Sequence, residues 1–181
     1  MSKDFSKSNL KWCFSSLGCP DLDLDDTLAL ADRYGIGLIE LRTLSGVVDI
    51  APILDEYISE HPDKAANIKE MGRIVGLNTS FHIASNTEDD RNELIRTAEL
   101  ADQLGAKYLR VFGGFPFLEE LTPERLSESA KSLEWFEKIK RESGLECEMT
   151  LEIHDGYSSS DRCCELMNHA GREVAILWDA H

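Results

Sequence analysis

Apolar residues along this chain recur with two alternating periods. Short runs have the length and composition of strands: WCFSSLGC (12–19), IGLIELR (36–42), LNTSFHIA (77–84), KYLRVFGG (107–114), CEMTLEIHD (147–155) and VAILWDAH (174–181). Between them lie longer segments with apolar positions at helical spacing. DLDDTLALADRYG (23–35) opens on acids, repeats Leu24, Leu28 and Ala31, and stops at Gly35. Residues 50–76 read as helical, with Pro52 near the start and a break expected at His61–Pro62. DDRNELIRTAELADQLG (89–105) places Leu94, Ala98, Ala101 and Leu104 on one face and ends at Gly105. TPERLSESAKSLEWFEKIKRESG (122–144) has Thr122 as N-cap, Pro123 at the first helical position and Gly144 at its end. SSSDRCCELMNHAG (158–171) is the last helix.

The pattern predicts six β units with five helical segments between them. Strict alternation argues for parallel strands joined by right-handed crossovers. No linker, composition break or low-complexity tract interrupts the chain, so residues 1–181 read as one domain. A parallel α/β chain closes into a barrel or stays an open sheet. A dinucleotide-binding open sheet calls for G-x-G-x-x-G after the first strand; SSLGCPDLD stands there, with one glycine.

The strand ends carry the chemistry. Glu40 and Arg42, Ser80 and His82, Arg110, Glu152 and His154, and Asp179 lie toward the C-terminal ends of five strands. Sites in parallel α/β proteins form at that end, and a barrel can point all of these groups into one mouth.

Charge and composition then narrow the function. Thirty-four Asp and Glu against 19 Lys and Arg give a net charge of −15, with no dense Lys/Arg cluster to grip a phosphate backbone. Nucleic acid is therefore not an expected partner. No apolar run reaches membrane-spanning length and the N-terminus has no apolar signal core, so a cytoplasmic location and no membrane partner are expected. Cys13, Cys19, Cys147, Cys163 and Cys164 form no C-x-x-C pair and read as reduced, small apolar residues.

Four stretches, FSSLGCPDLDLDDTLALADRYGIGLIELR, ELIRTAELADQLGAKYLRVFGG, LEIHDGYSSS and VAILWDAH, occur in an order and at a spacing that resemble the xylose isomerase-like TIM barrels of the sugar phosphate isomerase/epimerase type. The resemblance implies a (β/α)8 TIM barrel, of which this chain supplies about six β/α units. The barrel is incomplete, and a C-terminally truncated piece of a longer protein is the expectation. The resemblance also implies a divalent metal ion (Mn²⁺, Mg²⁺, Co²⁺ or Zn²⁺) at the mouth, with Glu152 and Asp179 matching the fifth- and sixth-strand ligands. Two further ligands, on strands seven and eight, have no counterpart here. Glu40, His82 and Arg110 match positions near the family's pocket.

The expected function is a metal-dependent sugar or sugar-phosphate isomerase or epimerase that moves a proton next to a carbonyl. Glu152 is the catalytic candidate and metal ligand, Asp179 the second ligand, and His82, Arg110, His154 and Glu40 the substrate-binding candidates. In TLEIHD, Leu151 and Ile153 pack outward, which turns Glu152 and His154 inward. An ion pair from Glu152 to Arg42 or Arg110 competes with the metal reading, because a buried carboxylate needs a cation of some kind. Trp12, Phe112, Phe115, Phe117 and Trp178 are candidates for an apolar wall against sugar carbons, more readily explained as packing; His181 has little weight, and His61 and His169 read as helix-surface residues. Two other readings stand beside the isomerase. One is a barrel scaffold without catalysis, completed as a homo-oligomer through open sheet edges. The other is a DNA repair endonuclease of the AP endonuclease type, which the acidic charge disfavours.

Overall fold

The computed structural model describes residues 11–178. Six strands form one parallel sheet in the order β1-β2-β3-β4-β5-β6: Cys13–Ser15, Leu38–Leu41, Ile74–His82, Tyr108–Phe112, Glu148–Glu152 and Ala175–Leu177. The helices are α1 (Leu24–Arg33), α2 (Ala51–Glu60), α3 (Pro62–Met71), α4 (Glu88–Leu104), α5 (Pro123–Ser143) and α6 (Ser160–Ala170). Each strand pairs with the next in sequence and helices cover one face. This is the curling sheet of a TIM barrel, with six strands joined by five helical crossovers and β1 and β6 as the edges among the described residues.

The helix starts follow from their residues. Asp23, Thr87, Thr122 and Ser159 each accept a hydrogen bond from a backbone N–H in the first turn, and Thr87 with Asp90 completes a capping box. The break expected at His61–Pro62 separates α2 from α3. The structure corrects the expectation that the helix continues to residue 76: α3 closes at Gly72, and Ile74–Gly76 join β3. That stretch is the apolar start of a strand buried between layers, and an apolar run is ambiguous between helix and strand until its partners are known.

The main core lies between sheet and helices. Ile39, Leu41, Leu77, Leu109, Val111 and Leu151 are fully buried on the helix-facing side. The alternate positions face the lumen, and several are polar: Glu40, Asn78, Arg110, Thr150 and Glu152. Between Asn78 and His82 the β3–β4 register slips: four residues of β3 advance while β4 advances two. Thr79 fills the irregularity, its hydroxyl donating to Arg110 O and accepting from Phe81 N. The bulge carries His82 to the mouth beside Phe112.

Candidate functional site

Glu152 ends β5 and is 7% exposed. Its Oε2 lies 3.0 Å from Arg110 Nε, and both side chains are more than nine-tenths buried. The guanidinium also donates from Nη1 to Thr79 O at 2.7 Å and lies over the Phe112 ring, with Cζ 4.0 Å from its centroid. Arg110 is thus held by a carboxylate, a bulge carbonyl and an aromatic face, and Glu152 is held by a cation from the neighbouring strand.

A second polar set lies toward β2. Asn78 Nδ2 donates to Glu40 Oε1 at 3.1 Å. Arg42 donates to Asn78 O at 3.2 Å and to Ser80 Oγ at 3.1 Å. Burial pulls the Arg42 guanidinium below its ordinary value, while the Glu152 charge pulls the other way. Of the two arginines weighed as partners for Glu152, Arg110 makes the ion pair and Arg42 feels the charge across the lumen. Cys13, on β1, has its thiol pushed up to about 11 by burial and then by the Glu40 carboxylate.

The histidines stand at the rim. His82 and His154 are both exposed, and their rings lie 5.8 and 5.2 Å from that of Phe112. His154 lies beyond the end of β5, at the rim above Glu152. The following residues turn sharply: Asp155 has φ +42 and opens a short 3-10 turn, Asp155–Tyr157. Asp155 Oδ2 accepts from Gly114 N at 2.8 Å, and Oδ1 is buried with no hydrogen-bond partner among the described residues. Arg162 ties the same two loops, donating to Gly156 O, Phe117 O and Glu119 O.

The structure therefore brings Glu152, Arg110, His82 and His154 around Phe112, with Glu40 farther along the lumen. Asp179 and His181 lie outside the described residues. Among the aromatic candidates, Phe112 joins this group and Phe115 is buried beneath Gly156, whereas Trp12, Phe117 and Trp178 are exposed. Sequence reasoning missed Asn78. Its signal was present: Asn78 stands at the start of the polar run Asn78–Thr79–Ser80, two residues from Ser80 and four from His82 in β3. The carboxylate–glycine contact between Asp155 and Gly114 had no such signal, because 41 residues separate the partners.

Among the described residues, no group of three or more His, Cys, Asp and Glu is placed to hold a metal ion. Of the expected ligand set only Glu152 lies there, and its carboxylate already faces a guanidinium. The described residues alone do not make a metal cage. No helix among them is long and apolar enough to cross a membrane.

No protein-family model and no curated protein sequence matches the chain. Solved structures do. The probable 3-DHS dehydratase AsbF of Bacillus anthracis, involved in petrobactin synthesis, superposes with a TM-score of 0.67 at 16% identity, over 94% of this chain and 63% of that one. The IOLI protein with a binding zinc atom gives 0.64 at 20% identity, over 90% and 60%. An L-ribulose 3-epimerase gives 0.63 at 19% identity, over 92% and 58%. The chain spans about three-fifths of the length of these proteins. At such identities the likeness is one of fold alone, that of a TIM barrel.

Proposed function

We propose that these residues form part of the active-site mouth of a sugar or sugar-phosphate isomerase or epimerase. The observation that carries this reading is the buried Glu152–Arg110 pair at the C-terminal end of adjacent strands, with two exposed imidazoles at the rim above it. A carboxylate paired with a guanidinium can take a proton from the carbon next to a carbonyl and return it to that carbon or its neighbour. Arg110 would then face the negative charge that develops on the enediolate oxygen, in a site with little water to screen it. His82 and His154 reach out from the rim and would hydrogen-bond sugar hydroxyls, and the exposed part of Phe112 would meet sugar carbons. The similarity in fold to an L-ribulose 3-epimerase supports this class of reaction.

The test is deuterium incorporation. The protein is incubated in D₂O with L-ribulose, D-allulose and a sugar phosphate, with and without added Mn²⁺; the ion is included because the resemblance implies one and Glu152 would be one of its ligands. Deuterium appearing next to the carbonyl supports the reading whichever sugar is the natural one. Its absence from every sugar under both conditions refutes it for this chain. A scaffold without catalysis is the second reading. It is favoured by the same ion pair, since Glu152 and Arg110 already satisfy one another, and a negative result with an intact fold would select it.

A further inference from the structure

One group in the mouth has no part in the proposed proton transfer, yet its geometry is costly. Asp155 adopts a left-handed backbone conformation, and one of its carboxylate oxygens is buried without a hydrogen-bond partner among the described residues. The other oxygen receives the Gly114 N–H at 2.8 Å. Gly113 and Gly114 fit closely around this contact. A Cβ on Gly113 would stand 2.5 Å from Asp155 Oδ1, and one on Gly114 would stand 2.5 Å from the Cβ of His82. Gly114 also has φ +91, a conformation that glycine adopts without strain.

These contacts close a ring. His154 precedes Asp155; Asp155 holds Gly114; Gly114 abuts His82; and the rings of His82 and His154 both lie against Phe112. We infer that Asp155 is a positioning residue: its carboxylate locks the loop after β4 to the loop after β5 and so sets His82 and His154 on either side of Phe112. The two histidines come from strands that are not neighbours in the sheet, and among the described residues neither imidazole makes a hydrogen bond. Their placement as a pair rests on the loops that carry them. The inference gives this rim a purpose under the proposed function, on which its relevance to sugar binding rests.

Two substitutions separate the carboxylate from the backbone conformation. Asp155→Gly accepts φ +42 without strain but loses the link to Gly114. Asp155→Asn also tolerates that conformation and keeps an acceptor for the Gly114 N–H. The readout is the NMR spectrum of histidine-labelled protein, with His82 and His154 assigned by single substitution, together with exchange of the Gly114 amide. In the Gly variant both imidazoles are expected to move toward free-histidine positions, and the Gly114 amide to exchange about ten-fold faster or more. The Asn variant is expected to keep both near their wild-type positions. An Asp155→Gly protein whose His82 signal and Gly114 exchange match wild type overturns the inference, because Gly114 is the contact through which Asp155 would set His82. Should the Gly variant fail to fold, the Asn variant decides: Gly114 exchange and the His82 signal that keep or lose their wild-type values together uphold the link, and one that changes without the other overturns it. L-ribulose is then titrated into the wild-type protein. Unresponsive imidazoles count against the binding reading and leave the positioning result intact, since that result is read without sugar.

Discussion

Arg110→Met is the perturbation that most directly tests the account of the mouth. The substitution removes the charge from a pair whose side chains are 7% and 9% exposed, with Nε and Oε2 3.0 Å apart. It also deprives Thr79 O of its guanidinium donor at 2.7 Å. A surface pair would be worth about 0–1 kcal/mol. Breaking a buried one leaves an uncompensated charge out of water and costs about 3–5 kcal/mol. With a urea m-value of about 2 kcal/mol/M, the unfolding midpoint should fall by roughly 1.5–2.5 M, followed by the fluorescence of the three tryptophans. Glu152→Gln, which removes the carboxylate charge from beside the guanidinium, should also destabilise the protein in the same assay. The double variant Arg110→Met/Glu152→Leu should cost clearly less than the sum of the singles, because no lone charge remains. Singles that cost less than about 1 kcal/mol, or a double variant equal to their sum, would show that the two groups are solvated and uncoupled. The argument for a buried, paired carboxylate at the mouth would then fail.

Three further outcomes follow from other parts of the fold. The Thr87 backbone N–H and hydroxyl hold the Asp90 carboxyl below its ordinary value, so its contribution is present above the unfolded carboxylate range near pH 4 and is lost as pH falls through the lower folded value. Asp90→Ala should therefore cost about 0.5–1 kcal/mol at pH 7 by thermal or urea unfolding, and the difference from wild type should vanish in strong acid. Gly156→Ala would place a Cβ 2.2 Å from the Phe115 ring and should cost about 1–3 kcal/mol, whereas Gly37→Ala, with open space around its Cβ, should be nearly neutral in the same assay. Under iodoacetamide at pH 8, exposed Cys164 should alkylate first, Cys13 slowly despite its exposure because its thiol is pushed up to about 11, and buried Cys147 and Cys163 only on unfolding, as read by peptide mass spectrometry.

The order of strands and helices was legible along the chain because each element announces itself locally. Caps at Thr87, Thr122 and Asp23 start helices, glycines follow their ends, and short apolar runs stand between them. Alternation within LEIHD and LNTSFH sorted inward from outward side chains, which placed Glu152 and His82 on the mouth side of their strands. These are period-two and period-3.6 signals, and the sequence alone carries them. The tertiary structure decided the partners. The choice of Arg110 over Arg42 for Glu152 depends on β4 lying directly beside β5, on the bulge at Thr79, and on the Phe112 face beneath the guanidinium. The boundary between α3 and β3 was likewise set by packing, since Ile74–Gly76 become strand once β2 and β4 flank them. Asp155 and Gly114, 41 residues apart, meet only because two loops leave adjacent strands at the same end of the sheet. Local pattern specifies which way a side chain points; which charge it meets is fixed by register and strand order, and these come from contacts between segments far apart in the chain.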